Sequence, residues 1–67
     1  MELIDTPNPN AKKIVTNLGE PDVSVDLHKI EGVSSIFFGP GFITITKEEN
    51  IEWELINQDI INIFDKL

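Results

Sequence analysis

Cysteine and arginine are both absent from the 67 residues. Without cysteine, the chain can form no disulfide and can hold no metal through thiolates of its own. No apolar run approaches the roughly 20 residues that a membrane-spanning helix needs, so no membrane association is expected. The first residues show no basic segment followed by an apolar one, so no signal peptide is predicted. These absences favour a cytoplasmic protein.

Positive charge is also scarce. The chain carries 12 acidic residues against 5 basic ones, for a formal net charge of −7. Binding to phosphate groups requires a clustered positive surface, so this balance argues against nucleic acid as a partner. Excess charge of one sign favours solubility, and it also steers encounters toward basic partners.

The length predicts one domain, spanning residues 1–67. A chain of this size buries only about 60% of its unfolded surface, which makes its stability marginal. Each helix and strand must therefore be held in place by its neighbours.

The segment from residue 30 to residue 47 predicts a β-hairpin. Two runs rich in β-branched and aromatic residues, 33–38 and 42–46, flank the sequence Gly-Pro-Gly at 39–41. Glycine supplies positive φ angles and proline fixes φ at about −65°, as a tight turn requires. Gly32 follows an apolar-periodic segment, where the end of a helix commonly takes a left-handed conformation.

Two registers of this hairpin are compatible with the sequence. In the first, Gly39 pairs with Phe42, and the aliphatic residues collect on one face while serine, threonine and Phe37 occupy the other. In the second, Phe38 pairs with Phe42. This slip of one residue moves the side chains of one strand to the opposite face of the sheet relative to those of the other strand. We predict the first register because it separates aliphatic from polar residues more cleanly.

Before the hairpin, the chain predicts two further strands, at residues 1–4 and 11–18. The intervening loop at 5–10, Asp-Thr-Pro-Asn-Pro-Asn, contains two prolines that no helix or central strand accommodates. Its aspartate and asparagine side chains, Asn8 and Asn10 included, are typical of Asx turns. The sequence leaves open whether the two peptide bonds that precede proline are cis or trans.

The first predicted helix follows Pro21, with Asp22 or Ser24 as its N-cap. Its apolar face is formed by residues spaced at helical intervals, namely Val23, Leu27 and Ile30.

The second predicted helix runs from about Ile51 to Phe64 or beyond, with Asn50 as its N-cap. Its apolar stripe consists of Trp53, Ile56, Ile60, Ile63 or Phe64, and Leu67. The element order is therefore ββαββα. This order predicts an α+β fold, a two-layer sandwich in which an antiparallel four-stranded sheet carries two helices on one face. The other face of the sheet would then be open to solvent.

Two groups of residues are candidates for binding a partner protein. The first is the aromatic group of the hairpin, Phe37, Phe38 and Phe42, part of which would form an exposed apolar patch of the kind that marks a contact surface. The second comprises Thr6, Asn8 and Asn10, because rigid loops often present binding residues.

No catalytic, cofactor-binding or metal-binding residue is predicted. His28 is the only histidine, and it has no suitably spaced partner for ligation or proton transfer. The serines and threonines have no visible base, and the Gly-Pro-Gly turn lacks the helix and the lysine of a phosphate-binding loop. Trp53 is interpreted as an anchor of the last helix.

Four segments resemble the N-terminal domain of Nfu/NifU-type iron–sulfur cluster scaffold proteins. They are DTPNPN at 5–10, IEGV at 30–33, IFFGPGFITITK at 36–47 and the IEW…L…DI pattern at 51–60. Their order and spacing, which extend over nearly the whole chain, carry the resemblance. Between residues 16 and 29 the chain looks shorter than the family leads us to expect.

The resemblance implies a non-enzymatic interaction module associated with iron–sulfur cluster assembly and delivery. In this family the cluster is held by a Cys-X-X-Cys pair in a separate C-terminal domain, so this chain is expected to bind no cofactor itself. The expected partner is a cluster-carrying domain or a target apoprotein. Whether the chain stands alone or is an excised domain is left open.

Two alternatives belong to other classes of protein. In one, the chain binds iron directly through His28 and carboxylates. In the other, it is a structural homodimer with no role in cluster assembly, in which a second copy covers the open face of the sheet.

Overall fold

The computed structural model describes residues 2–18 and 20–66. Along the chain its elements are β1 (Ile4–Asp5), β2 (Ala11–Val15), α1 (Glu20–His28), β3 (Val33–Gly39), β4 (Phe42–Lys47) and α2 (Trp53–Asp65). The predicted ββαββα order and the α+β class are confirmed.

The four strands form one antiparallel sheet in the order β1-β2-β4-β3. Strands β3 and β4 are joined by a two-residue turn in which Gly41 has a φ of +78°, a value that glycine adopts without steric cost. Gly39 lies opposite Phe42, so the predicted register of the hairpin is confirmed.

The alternation along β4 separates the two faces of the sheet. Ile43, Ile45 and Lys47 are buried, whereas the residues between them are half-buried. The buried face meets both helices in a single apolar core. Its members are Ile14, Val23, Leu27, Ile43, Ile45, Ile56, Ile60 and Phe64. Both helices therefore cover the same face of the sheet, as predicted.

The first two strands are shorter than the sequence predicted. Of residues 1–4, only Ile4 belongs to β1, and Met1 lies outside the described residues. β2 ends at Val15 instead of residue 18. Beyond it, the Thr16 hydroxyl oxygen accepts a hydrogen bond from the Leu18 N–H at 3.2 Å, which turns the chain out of the strand.

Helix α1 begins one residue before Pro21, so the prediction that Asp22 or Ser24 is its N-cap was wrong. Proline fits the first turn of a helix because its missing N–H would have no partner there. Asp22 and Ser24 consequently lie inside the helix. The predicted apolar face is confirmed for Val23 and Leu27, which are buried in the core, whereas Ile30 lies beyond the end of the helix and packs against the core from there.

Gly32 has the positive φ that was predicted, at +107°, although it does not end the helix directly. α1 ends at His28, and Gly32 is the third residue of a separate turn in which the Val33 N–H donates to the Ile30 carbonyl at 3.3 Å. Positive φ at the third residue is typical of a type II turn and favours glycine there.

Helix α2 begins at Trp53, with Glu52 in the N-cap position, so the prediction of Asn50 as N-cap was wrong. Residues 48–51 instead form a turn, closed by the Ile51 N–H and the Glu48 carbonyl at 3.1 Å. The predicted stripe is confirmed within the described residues. Ile56, Ile60 and Phe64 are buried, and Trp53 and Ile63 pack against them. Leu67 lies outside the described residues.

Candidate functional site

The face of the sheet opposite the helices carries an apolar patch, formed by Val15, Phe37 and Phe42 and called here the open-face patch. Val15 is 65% exposed and Phe37 is 61% exposed. The rings of Phe37 and Phe42 lie 6.0 Å apart between centroids and are tilted by 39°, a usual geometry for interacting aromatic side chains. The patch adjoins the hairpin turn, because Val15, Phe42 and Gly39 lie opposite one another on adjacent strands.

Phe38 does not belong to this patch. It lies opposite Ile43, on the face of the sheet that is covered by the helices, and it packs against the core. The structure therefore places Phe37 and Phe42 together and separates Phe38 from them. The alternation of a strand requires this, because successive side chains point to opposite faces.

The second predicted group occupies an ordered loop. The Thr6 Oγ1 accepts the Asn8 N–H at 3.2 Å and lies 2.8 Å from the Ala11 carbonyl, to which it can donate. The Asn8 Oδ1 accepts the Asn10 N–H at 2.9 Å, which confirms the predicted Asx turn at Asn8. The peptide bonds before both prolines of the loop are trans.

Asn10 ties this loop to the end of β4. Its carbonyl accepts the Lys47 N–H at 2.7 Å, and its side-chain Oδ1 accepts the Lys47 ammonium at 3.0 Å. Lys47 is 8% exposed, and its ammonium also donates to the Glu48 carbonyl at 3.3 Å. Asn10 is therefore a structural partner of a buried lysine, whereas Thr6 and Asn8 lie along the rim of a groove.

This groove has a volume of about 400 Å³ and lies between the loop and the start of α2. It is lined by Asp5, Thr6, Pro7, Asn8, Pro9, Ala11, Lys12 and Trp53. The Trp53 indole N–H donates to the Pro9 carbonyl at 3.0 Å, which fixes the loop against the helix. Trp53 also packs against the core, so its predicted anchoring role is confirmed.

One positive and one negative side chain meet beside the Trp53 ring. The Lys12 ammonium lies 5.3 Å from the ring centroid, within the range of a cation–π interaction, and 3.5 Å from the Asp5 carboxylate. The Asp5 side chain is 89% exposed, so this ion pair contributes little to stability. The groove thus combines an aromatic surface with a mixed polar rim.

The open-face patch and the groove are separate surfaces. Phe42 begins β4 and Lys47, beside the groove, ends it, a separation of ~16 Å at about 3.3 Å per strand residue. The structure does not bring the two predicted groups together into one site.

Sequence reasoning missed Lys47, Lys12 and Asp5. The burial of Lys47 had a readable signal, because it continues the alternation of Ile43 and Ile45 on the covered face. The approach of Lys12 to Trp53 had no readable signal in the sequence, since it depends on how α2 packs against β2.

His28 is exposed on α1, with its Nδ1 2.8 Å from the Ser24 carbonyl oxygen. In the described part of the chain, no three histidine, aspartate or glutamate residues are grouped so that they could hold a metal ion. None of the helices within residues 2–18 and 20–66 is long and apolar enough to span a membrane.

Comparison with solved structures supports the fold. The crystal structure of protein SAV1430 from Staphylococcus aureus superposes with a TM-score of 0.80 and 29% identity, covering 96% of this chain and 95% of that one. The solution structure of SeR13 from Staphylococcus epidermidis gives a TM-score of 0.65 and 32% identity over 98% and 94% of the two chains.

Comparison with curated sequences identifies relatives of much greater length. The human NFU1 iron-sulfur cluster scaffold homolog, mitochondrial, is 40% identical over 75 aligned positions, which cover 84% of this chain and 29% of the human protein. The protein of the same name from Drosophila willistoni is 38% identical, over 88% of this chain and 26% of its own length. This chain therefore spans less than a third of the length of these relatives.

The family model described as scaffold protein Nfu/NifU N terminal matches residues 16–67. The match includes both helices and the hairpin, and it leaves the loop at 5–10 outside. Because it covers well over half of the chain, the chain belongs to the Nfu/NifU scaffold N-terminal family.

Proposed function

We propose that this chain is a non-enzymatic interaction module in iron–sulfur cluster assembly and delivery, and that it binds a cluster-carrying domain or a target apoprotein. Family membership supports the link to cluster assembly. Because the chain has no cysteine, the cluster would be held by the partner. The cytoplasm remains the compartment we propose, although the relatives are named as mitochondrial proteins.

The open-face patch is the observation that carries the proposal. Two of its three members, Val15 and Phe37, expose more than half of their surface on a small acidic chain. Contiguous apolar groups of this kind mark contact surfaces, because leaving them in water costs free energy that a partner can recover. The Phe37 and Phe42 rings already touch, so they form a preordered surface that loses little side-chain entropy on binding.

A two-dimensional amide NMR titration of the labelled chain tests this proposal. The titrant is a Cys-X-X-Cys Nfu-type domain, first without and then with its cluster. We expect shifts concentrated on the open-face patch and the hairpin turn. Absence of shifts with both forms would contradict a partner role toward this class of domain.

Substitutions then locate the surface. Phe37→Ser should weaken binding strongly, since an exposed aromatic anchor is the residue type that dominates interface energies. Leu55→Ser is the matched control, because Leu55 is 69% exposed on α2 and lies away from the patch. Equal loss of binding by both variants would show that the open-face patch is not the contact surface.

A further inference from the structure

The two outer strands of the sheet differ in how well their free edges are protected against pairing with another strand. β1 pairs with β2 over only two residues and is followed by Pro7, so that edge is short and blunted. β3 is an outer strand of seven residues that contains no charged residue and no proline. Natural sheets protect outer strands by shortness, charge, proline or a bulge. β3 has only a register shift between Val33 and Ser35, which leaves residues 35–39 as a regular, unprotected edge.

Burial along the hairpin supports an uncovered edge in the part of the chain that the structure describes. Ile36 and Phe38 pack against the core yet remain half-buried, whereas their cross-strand partners Ile45 and Ile43 are 0% exposed. The difference arises because β4 has a strand on either side and β3 has a neighbouring strand on one side alone.

The register identifies which backbone groups face outward. In an antiparallel pair, alternate residues exchange hydrogen bonds with the opposite strand. A two-residue turn is closed by a hydrogen-bonded pair, here Gly39 and Phe42, so Phe37 is bonded to β4 as well. The N–H and C=O groups of Ile36 and Phe38 therefore point away from β4, along the plane of the sheet, where they can form hydrogen bonds with another strand.

The surroundings of this edge are acidic at one end. Glu31, Glu48 and Glu49 are exposed near the start of β3, where the Glu48 N–H donates to the Gly32 carbonyl at 2.8 Å. The basic residue opposite Val33 is Lys47, whose buried ammonium bonds the Asn10 side chain and the Glu48 backbone carbonyl and forms no ion pair with a carboxylate of the described residues. At the other end the edge adjoins Phe37, a neutral aromatic surface.

We propose that β3 binds an extended segment of a partner protein by strand addition. The segment carries a basic residue beside the Val33 end of β3 and an apolar residue three or four positions away, beside Phe37, because the register shift places Val33 and Phe37 opposite residues only three positions apart on β4. A second copy of this chain fits less well, because two chains of net charge −7 repel one another. The inference rests on the proposed function only in requiring a protein partner, and it specifies the chemistry of that partner.

Hydrogen exchange measured residue by residue by NMR tests the geometry. The probe is the capped octapeptide KKTITVTI, which alternates apolar residues and places one of them four positions after a lysine. Strand addition should slow the amide exchange of Ile36 and Phe38 about tenfold or more, because these N–H groups gain partners. The Phe37 amide, already bonded to β4, should change little. Binding without this alternating protection would overturn the proposal.

Two control peptides separate backbone pairing from charge. The peptide KKPPPPPI keeps the lysines but has no backbone N–H from its third to its seventh residue, so it cannot donate along the strand and should give no protection. The peptide EETITVTI reverses the charge, so it should bind more weakly than the lysine peptide. Equal affinity of the lysine and glutamate peptides would refute the assigned basic residue.

Matched variants of the protein test the acidic end. The triple change Glu31→Gln, Glu48→Gln and Glu49→Gln should weaken binding of the lysine peptide by about fivefold at low salt. The triple change Glu54→Gln, Asp59→Asn and Asp65→Asn alters the net charge equally on the exposed side of α2 and should have a smaller effect. Equal effects of the two triples would refute a local acidic contact.

Two further outcomes decide between related interpretations. Protection of Ile36 and Phe38 that appears without peptide as protein concentration rises would identify a second copy as the occupant and overturn the proposal. Shifts on the open-face patch with the cluster-carrying domain, without protection of Ile36 and Phe38, would leave the proposed function standing and refute strand addition.

Discussion

The ring of Phe42 lies directly over Gly39, its partner on the neighbouring strand. A β-carbon added to Gly39 would come within 2.8 Å of the Phe42 Cε2 and closer still to Cε1 and Cζ. The absence of a side chain on Gly39 is thus what allows the ring to fold back across the end of the hairpin toward Phe37. The shape of the open-face patch depends on this one glycine.

We predict that Gly39→Ala displaces the Phe42 ring and destabilises the protein by about 1–3 kcal/mol, as overpacking does. Urea unfolding measures the cost, and the Phe42 ring resonances report the displacement. In a Phe42→Ala background the same change should cost much less, because the clash is gone. Equal costs in both backgrounds would contradict the contact.

Gly41→Ala provides a contrast at the next glycine of the turn. No atom of the described residues lies within 4 Å of a β-carbon placed there, but Gly41 has a φ of +78°. We predict a cost of about 1 kcal/mol from backbone strain alone. The Phe42 ring resonances should stay in place. A displaced ring in this variant would show that the turn, and not the missing side chain of Gly39, positions Phe42.

We predict that Trp53→Phe loosens the loop at 5–10. The change keeps an aromatic ring against the core but removes the indole N–H that donates to the Pro9 carbonyl, at a cost of about 0.5–1.5 kcal/mol. Amide shifts should change across residues 6–10 and stay unchanged at 37–42. Unchanged shifts at 6–10 would show that the loop holds its shape through its own Thr6 and Asn8 hydrogen bonds.

The buried Lys47 should stabilise the fold more through the packing of its carbon stem than through the hydrogen bonds of its ammonium. Lys47→Ala leaves a cavity and should cost about 2–4 kcal/mol in urea unfolding. Lys47→Met keeps the apolar stem and loses the bond to Asn10, so we predict about 1 kcal/mol. If the methionine variant were as unstable as the alanine variant, the hydrogen bonds of the ammonium would stabilise the fold more than the packing of the stem does.

Truncation should destabilise the protein strongly at one residue of α2 and hardly at all at another. Ile60 is 0% exposed in the core, so Ile60→Ala should cost about 2–5 kcal/mol, a large part of the total stability of a small domain. Leu55 is 69% exposed, and Leu55→Ala should change the unfolding free energy by less than about 0.5 kcal/mol. Similar costs at both positions would contradict the assigned face of the helix.

The elements that could be predicted from the sequence are those specified by neighbouring residues. The hairpin register follows from Gly39, Gly41 and the separation of aliphatic from polar side chains. The α2 stripe follows from helical spacing. The N-cap predictions were wrong for both helices. Pro21 lies inside the first turn of α1 instead of before it, and residues 48–51 form a separate turn before α2.

The features that could not be predicted join residues far apart in the chain. Trp53 and Pro9 are 44 residues apart, and Lys47 and Asn10 are 37 residues apart. No local pattern specifies such a pair, because it exists only after α2 and the loop meet at the same end of the sheet. The partner-binding roles of Thr6, Asn8, Asn10, Phe37, Phe38 and Phe42 stay predictions, with Phe38 on the covered face of the sheet and Asn10 bonded to Lys47.

The position of β2 beside β4, with α1 and β3 between them along the chain, has a consequence for how the protein folds. The hairpin can form by itself within microseconds, but β2 must wait for a loop of more than about twenty residues to close. During synthesis, β1 and β2 emerge long before β4, the second neighbour of β2, exists. Loop-closure entropy should therefore limit the folding rate, and each residue added between β2 and α1 should slow folding slightly without touching the hairpin.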